Sequence, residues 1–140
     1  MGNDRNHTLK TRLLFLLLFS FAFIFGSQKH ISQIQKTAKN YRVEIKSNQI
    51  NNIVSKDGSI SLNIELTSNR NNFEMVMLVG YISAGSALKA GMKFDEVLIT
   101  VNVPLGDGFK LVTKAKVIEL NQLMDGKINT SQFVRKIKYL

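Results

Sequence analysis

Between residues 96 and 117 apolar and polar side chains change places at almost every step. Val97, Ile99, Val101 and Val103 alternate with Leu98, Thr100 and Asn102; past residues 104–108, Phe109, Leu111, Thr113, Ala115 and Val117 alternate with Lys110, Val112, Lys114 and Lys116. Successive side chains of a strand point to opposite faces, so a period of two describes two strands, each with one face buried. Pro104, Gly106 and Gly108 between them supply turn chemistry. A β-hairpin with one apolar face cannot stand alone in water, so the rest of the chain has to provide a second layer.

The preceding segment offers one. Phe73, Val76, Met77, Gly80, Tyr81, Ala84, Ala87 and Leu88 recur at helical spacing. Asn71 followed by Glu74 has the form of a capping box, and Gly91 is a natural stop. Gly80 and Gly85 inside that helix each cost about 1 kcal/mol relative to Ala, but small residues allow a helix to lie close on a sheet. Upstream, Tyr41, Val43 and Ile45 alternate with Arg42, Glu44 and Lys46. After an Asp57-Gly58 turn, Ile60, Leu62, Ile64 and Leu66 form a second alternation, so these two runs are expected to pair as a hairpin. Residues 28–41 place Ile31, Ile34 and Ala38 at helical spacing, as a short amphipathic helix or a tether. The last segment reads as a short helix closed near Gly126 and a further helical turn from Ser131 that carries Phe133, Val134 and Ile137. The expected fold is α+β: a small antiparallel sheet with a helix packed across it, a hairpin and C-terminal helices, preceded by an N-terminal hydrophobic helix.

Residues 1–12 carry net positive charge, residues 13–25 are apolar except for Ser20, and Gly26, Ser27 and Gln28 return to small and polar residues. That run has the length of a signal-peptide apolar region and is shorter than the ~20 residues of a spanning helix. Phe25 spoils the small-x-small cleavage pattern, so a cleaved signal and a retained anchor both stand. The division that follows is 1–27 signal peptide or signal anchor, 28–40 tether or short amphipathic helix, and 41–140 a single α+β domain. Either reading exports the domain across a membrane, leaving it membrane-anchored or in a periplasmic or extracellular space.

The formal net charge of +9 favours anionic surroundings, and the lysines are dispersed along the chain. Lys110, Lys114 and Lys116 share one strand face and could meet phosphates or lipid headgroups; without interleaved aromatics, nucleic acid is not expected. The absence of Cys excludes disulfides, thiolate nucleophiles and Cys-based metal sites. The only histidines are His7 and His30, so the domain offers no histidine for a conventional zinc site or a Ser-His-Asp triad. Asp95 and Glu96 read as a solvated strand start, and Asp107-Gly108 as a turn. Phe73, Met75, Met77 and Tyr81 read as core. No cofactor, metal or catalytic residue is expected. The chain reads as a non-enzymatic accessory or interaction domain of the cell envelope, with protein partners at the membrane and an anionic lipid surface as a further candidate.

One stretch resembles a known family. Gly85-Ser86-Ala87, Ala90-Gly91-Met92 and the strand Glu96-Val97-Leu98-Ile99-Thr100-Val101-Asn102 are similar to the middle of a PDZ domain. The resemblance covers residues 85–102 and implies a preceding strand at 78–82, a short helix at 86–91 and a groove strand at 59–66. It further implies that Gly58, Ser59, Ile60 and Leu62 bind the C-terminus of a peptide. One continuous helix over roughly 73–90 is the alternative arrangement.

Overall fold

A computed structural model describes residues 28–140. The signal or anchor expected at 1–27 lies outside the described residues, and no described helix is long and apolar enough to cross a membrane. Helix α1 spans 28–40. A 3-10 turn at Ser47–Gln49 leads into β1 (Ile50–Val54), followed by β2 (Ile60–Thr67), α2 (Phe73–Lys89), β3 (Glu96–Val103), β4 (Phe109–Lys116), α3 (Val117–Met124), α4 (Thr130–Val134) and β5 (Lys138–Tyr139). The five strands form one sheet in sequence order.

The hairpin read from the alternation is present, with Val97 opposite Ala115, Ile99 opposite Thr113 and Val101 opposite Leu111. The sheet as a whole is mixed rather than antiparallel, because β2 and β3 run parallel. The cause is the length of α2. Its 17 residues span about 25 Å at 1.5 Å per residue. An eight-residue strand covers about the same distance, so the helix carries the chain back to the start of β2 before β3 begins.

The PDZ-like reading needed a strand at 78–82. Those residues instead lie inside α2, which is unbroken from Phe73 to Lys89. The helix is apolar round most of its circumference because it is packed on several sides. Gly80 presses on β2 and β3, where an added Cβ would lie 2.9 Å from Leu66 Cδ1 and 3.0 Å from Ile99 Cδ1. Gly85 faces Met124 of α3. Thr37 Oγ1 of α1 donates to Ser86 Oγ at 2.8 Å. Tyr81 crosses the core, donating its hydroxyl to Thr113 Oγ1 at 2.8 Å, while its ring meets Phe133 edge-on at 5.2 Å between centroids.

Three helices end in the same way. Met92 N–H donates to Ala87 O and Gly91 N–H to Leu88 O, a Schellman motif with Gly91 at φ +101°. Lys127 N–H to Gln122 O and Gly126 N–H to Leu123 O repeat it at α3, with Gly126 at φ +70°. At the end of α1 the bonds run from Val43 N–H to Ala38 O and from Arg42 N–H to Lys39 O, and Arg42 takes the left-handed position at φ +60°. This third motif overturns the strand expected at 41–46. Arg42 reverses the chain, and Val43 and Ile45 still bury alternate side chains, but the segment pairs with no strand. Gln35 Nε2 donates to Ile45 O at 3.0 Å in place of a sheet partner. The strand that pairs with β2 is Ile50–Val54, with Ile50 opposite Ile64 and Val54 opposite Ile60.

Two smaller expectations also change. The capping box from Asn71 to Glu74 does not form: Asn72 is the N-cap without a side-chain bond, and Asn69 Oδ1 accepts the Asn71 N–H at 3.1 Å. At the C-terminus, Phe133 and Ile137 are buried as expected, but the chain then extends into β5. Leu140 N–H donates to Val112 O at 2.9 Å, which lengthens that pairing by one residue. Helix α1 contributes Ile34 and Ala38 to the same hydrophobic core as α2 and the sheet.

Candidate functional site

Cross-strand partners share a sheet face, so the register sorts every strand residue onto one side. Ile50, Leu62, Ile64, Leu66, Val97, Ile99, Val101, Thr113 and Ala115 face the helices and are buried. The opposite face carries Asn51 and Ile53; Ser61, Asn63, Glu65 and Thr67; Glu96, Leu98, Thr100 and Asn102; and Lys110, Val112, Lys114 and Lys116, with Lys138 on β5. Nearly all of these residues are half-buried or exposed, so no described helix covers this face.

The face is electrostatically uneven. The β4–β5 pairing gathers Lys114 and Lys116 with Lys138 and the preceding Lys136 into one region, while Lys110 lies further along the same face of β4, opposite Asn102. Lys114, Lys116, Lys136 and Lys138 line a hollow of about 120 Å³ together with Glu96 and Glu119. Glu96 is already engaged: Ser61 Oγ donates to it at 2.9 Å and Lys114 Nζ lies 3.5 Å away. Glu119 accepts the Lys116 backbone N–H at 3.2 Å. Among the described residues, Lys114 is the only one of these five lysines in an ion pair. Toward β1 the lysines give way to Glu65, which accepts from Asn102 Nδ2, and to neutral polar side chains, among which Asn63 Oδ1 is buried without a hydrogen-bond partner.

The loop singled out by the PDZ resemblance is a tight hairpin turn. Gly58 N–H donates to Ser55 O, Ser55 N–H donates to Ser59 O, and Gly58 sits at φ +85°, a three-residue connection with a glycine bulge. Asp57 Oδ1 accepts both the Ser59 N–H at 3.0 Å and the Ser59 hydroxyl at 2.7 Å, which holds the Asp57 carboxyl below its ordinary value. Ile60 N–H donates to Asp95 Oδ2 at 2.7 Å. The amides of Gly58, Ser59 and Ile60 therefore all have acceptors within the chain. Ile60 and Leu62 lie in β2, a strand paired on both edges.

Asp95 and Glu96 have structural partners. Asp95 ties β2 to the β4–α3 junction through Ile60 and through its own carbonyl, which accepts the Val117 N–H at 2.9 Å. Met77 and Tyr81 are core residues, whereas Met75 is exposed. Among the described residues no three His, Cys, Asp or Glu side chains come together as a metal site. The sequence showed the shared face of Lys110, Lys114 and Lys116. It missed Lys136 and Lys138, because their approach depends on β5, a strand of two residues.

Compared with protein-family models, with curated proteins and with solved structures, the chain finds no match.

Proposed function

We propose that the chain is a non-enzymatic accessory domain of the cell envelope, exported across or anchored to a membrane by its apolar N-terminal run, and that the open sheet face binds an acidic protein partner. The observation that carries this reading is the uncovered face with its lysine cluster at the β4–β5 side. A face that no helix covers, with lysines outnumbering carboxylates at one side, raises the local concentration of oppositely charged partners there and orients their approach. The apolar run at 13–25 supports the location.

The experiment places a photo-reactive side chain at Thr100, in the middle of the face, or at Lys36, on the exposed side of α1, in the full chain in its native membranes. A discrete protein adduct from position 100, absent from position 36 and lost in a Lys110→Glu/Lys138→Glu variant, is the expected result. Equal adducts from both positions, or adducts that survive charge reversal, would overturn the reading. Adducts to anionic lipid alone would move the face from a protein partner to the membrane surface.

A further inference from the structure

The two edges of the sheet are unequally protected. An unpaired strand edge is a template for another strand, and proteins blunt such edges with short strands, charges, proline or bulges. The β5 edge is two residues long and carries Lys138, with Lys136 just before it. The β1 edge is five residues long, Ile-Asn-Asn-Ile-Val, with no charge and no proline. Its bulge is confined to the turn at Gly58. Ile53 and Val54 are 50% and 67% exposed.

Which backbone groups are free along β1 follows from the turn. Ser55 N–H bonds to Ser59 O, and bonded positions alternate in an antiparallel pair, so Ser55, Ile53 and Asn51 turn toward β2. Asn52 and Val54 then direct both N–H and C=O outward, whereas Ile50 directs only its C=O there, its N–H being donated to Ser47 O. These three positions are symmetric about Asn52. A second strand pairing there antiparallel through a two-fold axis at Asn52 puts Val54 opposite the second copy's Ile50, and Asn52 opposite Asn52.

We infer that β1 is a self-association edge, at which a second copy of this chain adds its own β1 antiparallel about Asn52 to join two five-stranded sheets into one. Two features favour a second copy as the occupant. Ile50 and Val54 lie on the helix side of the sheet, as their partners Ile64 and Ile60 do, so the pairing sets exposed Val54 beside the buried Ile50 of the second copy and continues the core across the axis. Finally, the uncharged edge avoids the repulsion that two basic domains meet elsewhere on their surfaces. The interface is small relative to the ~1,200 Å² lower bound of stable complexes, so the association is reversible and concentration-dependent.

The chain has no cysteine, so one introduced thiol is unique. Facing residues of a hydrogen-bonded antiparallel pair have Cα atoms about 5.5 Å apart, within disulfide reach. Under mild oxidation of the full chain in detergent, Asn52→Cys is expected to form covalent dimer about tenfold or more faster than Lys36→Cys, because pairing raises the local thiol concentration. Adding Val54→Lys should reduce that rate to the Lys36→Cys background. The thermal melt of Val54→Lys alone should match wild type, since the side chain is mostly exposed. Equal rates at positions 52 and 36, an Asn52→Cys rate indifferent to Val54→Lys, or capture of a different protein at position 52 in membranes without homodimer would each overturn the inference.

Discussion

Gly80 and Gly85 occupy the same helix, and the same substitution should act on them in opposite directions. In a helix interior, Gly→Ala gains about 1 kcal/mol of propensity. At Gly80 the new methyl would lie 2.9 Å from Leu66 Cδ1, and 3.0 and 3.1 Å from Ile99 Cδ1 and Cγ2. Comfortable carbon contacts are about 3.5–4.0 Å, so each neighbour would have to yield by about half an ångström. Leu66 and Ile99 are fully buried in the middle of the sheet, and Ile99 Cγ2 hangs directly on a branched Cβ, so neither can swing clear. Overpacking of this kind costs about 1–3 kcal/mol, which leaves Gly80→Ala destabilised by about 1 kcal/mol. At Gly85 the methyl overlaps only Met124, lying 2.6 Å from its Cγ, so the whole side chain has to turn about its first torsion; it is half-buried near the end of α3, where an unbranched side chain has room to do so. Gly85→Ala should therefore keep part of its propensity gain and end at or above the wild-type stability. A difference of about 1–2 kcal/mol corresponds to roughly 0.5–1 M in the urea midpoint for slopes of 1–3 kcal/mol per M. Urea unfolding followed by far-UV circular dichroism reads it directly. If Gly80→Ala unfolds at or above the wild-type midpoint, or below it by no more than Gly85→Ala, then α2 does not need the close approach argued here.

The Tyr81–Thr113 hydrogen bond gives a second test. Thr113→Val leaves the buried Tyr81 hydroxyl without its acceptor and should cost about 1–3 kcal/mol, Tyr81→Phe about 1 kcal/mol, and the double variant less than the sum of the two, measured as a double-mutant cycle in urea. Burial, only partly offset by the Thr113 bond, raises the Tyr81 hydroxyl pKa well above its ordinary 10.0. The folded state then holds a proton that the unfolded chain releases, so stability should fall as pH rises above 10, and Tyr81→Phe should flatten that slope. Phe133→Ala removes a fully buried ring that stacks edge-on against Tyr81; it should cost about 3–5 kcal/mol and release β5, seen as faster exchange of the Leu140 amide, which donates to Val112 O. Arg42→Gly relieves a left-handed residue at about 1–2 kcal/mol of strain while freeing the unfolded chain by less, so the thermal midpoint should rise by a few degrees.

Local pattern determined a great deal here. The period-two runs at 60–66 and 97–117 became β2, β3 and β4, the helical stripe from Phe73 became α2, and Gly91 and Gly126 ended helices as glycine in the left-handed region does. Each of these features depends on side chains a few residues apart, so adjacent letters suffice to show them. The same reasoning failed at Arg42, because arginine carries no left-handed signal. Val43 and Ile45 bury alternately whether or not a neighbouring strand is there to pair with them.

What only the tertiary structure decided concerns residues far apart in the chain. Whether β2 and β3 run parallel depends on the length of α2 measured against the sheet. Whether Gly80 is a defect or a contact depends on Leu66 and Ile99 lying beneath it. The lysines of β4 read as a scattered basic excess until β5, a two-residue strand that no periodicity can announce, lays Lys138 opposite Lys114 and draws Lys136 into the same hollow. Strand periodicity assigns each residue a face within its own strand, but which face the helices leave open, and which strand becomes an edge, is settled only when the layers pack.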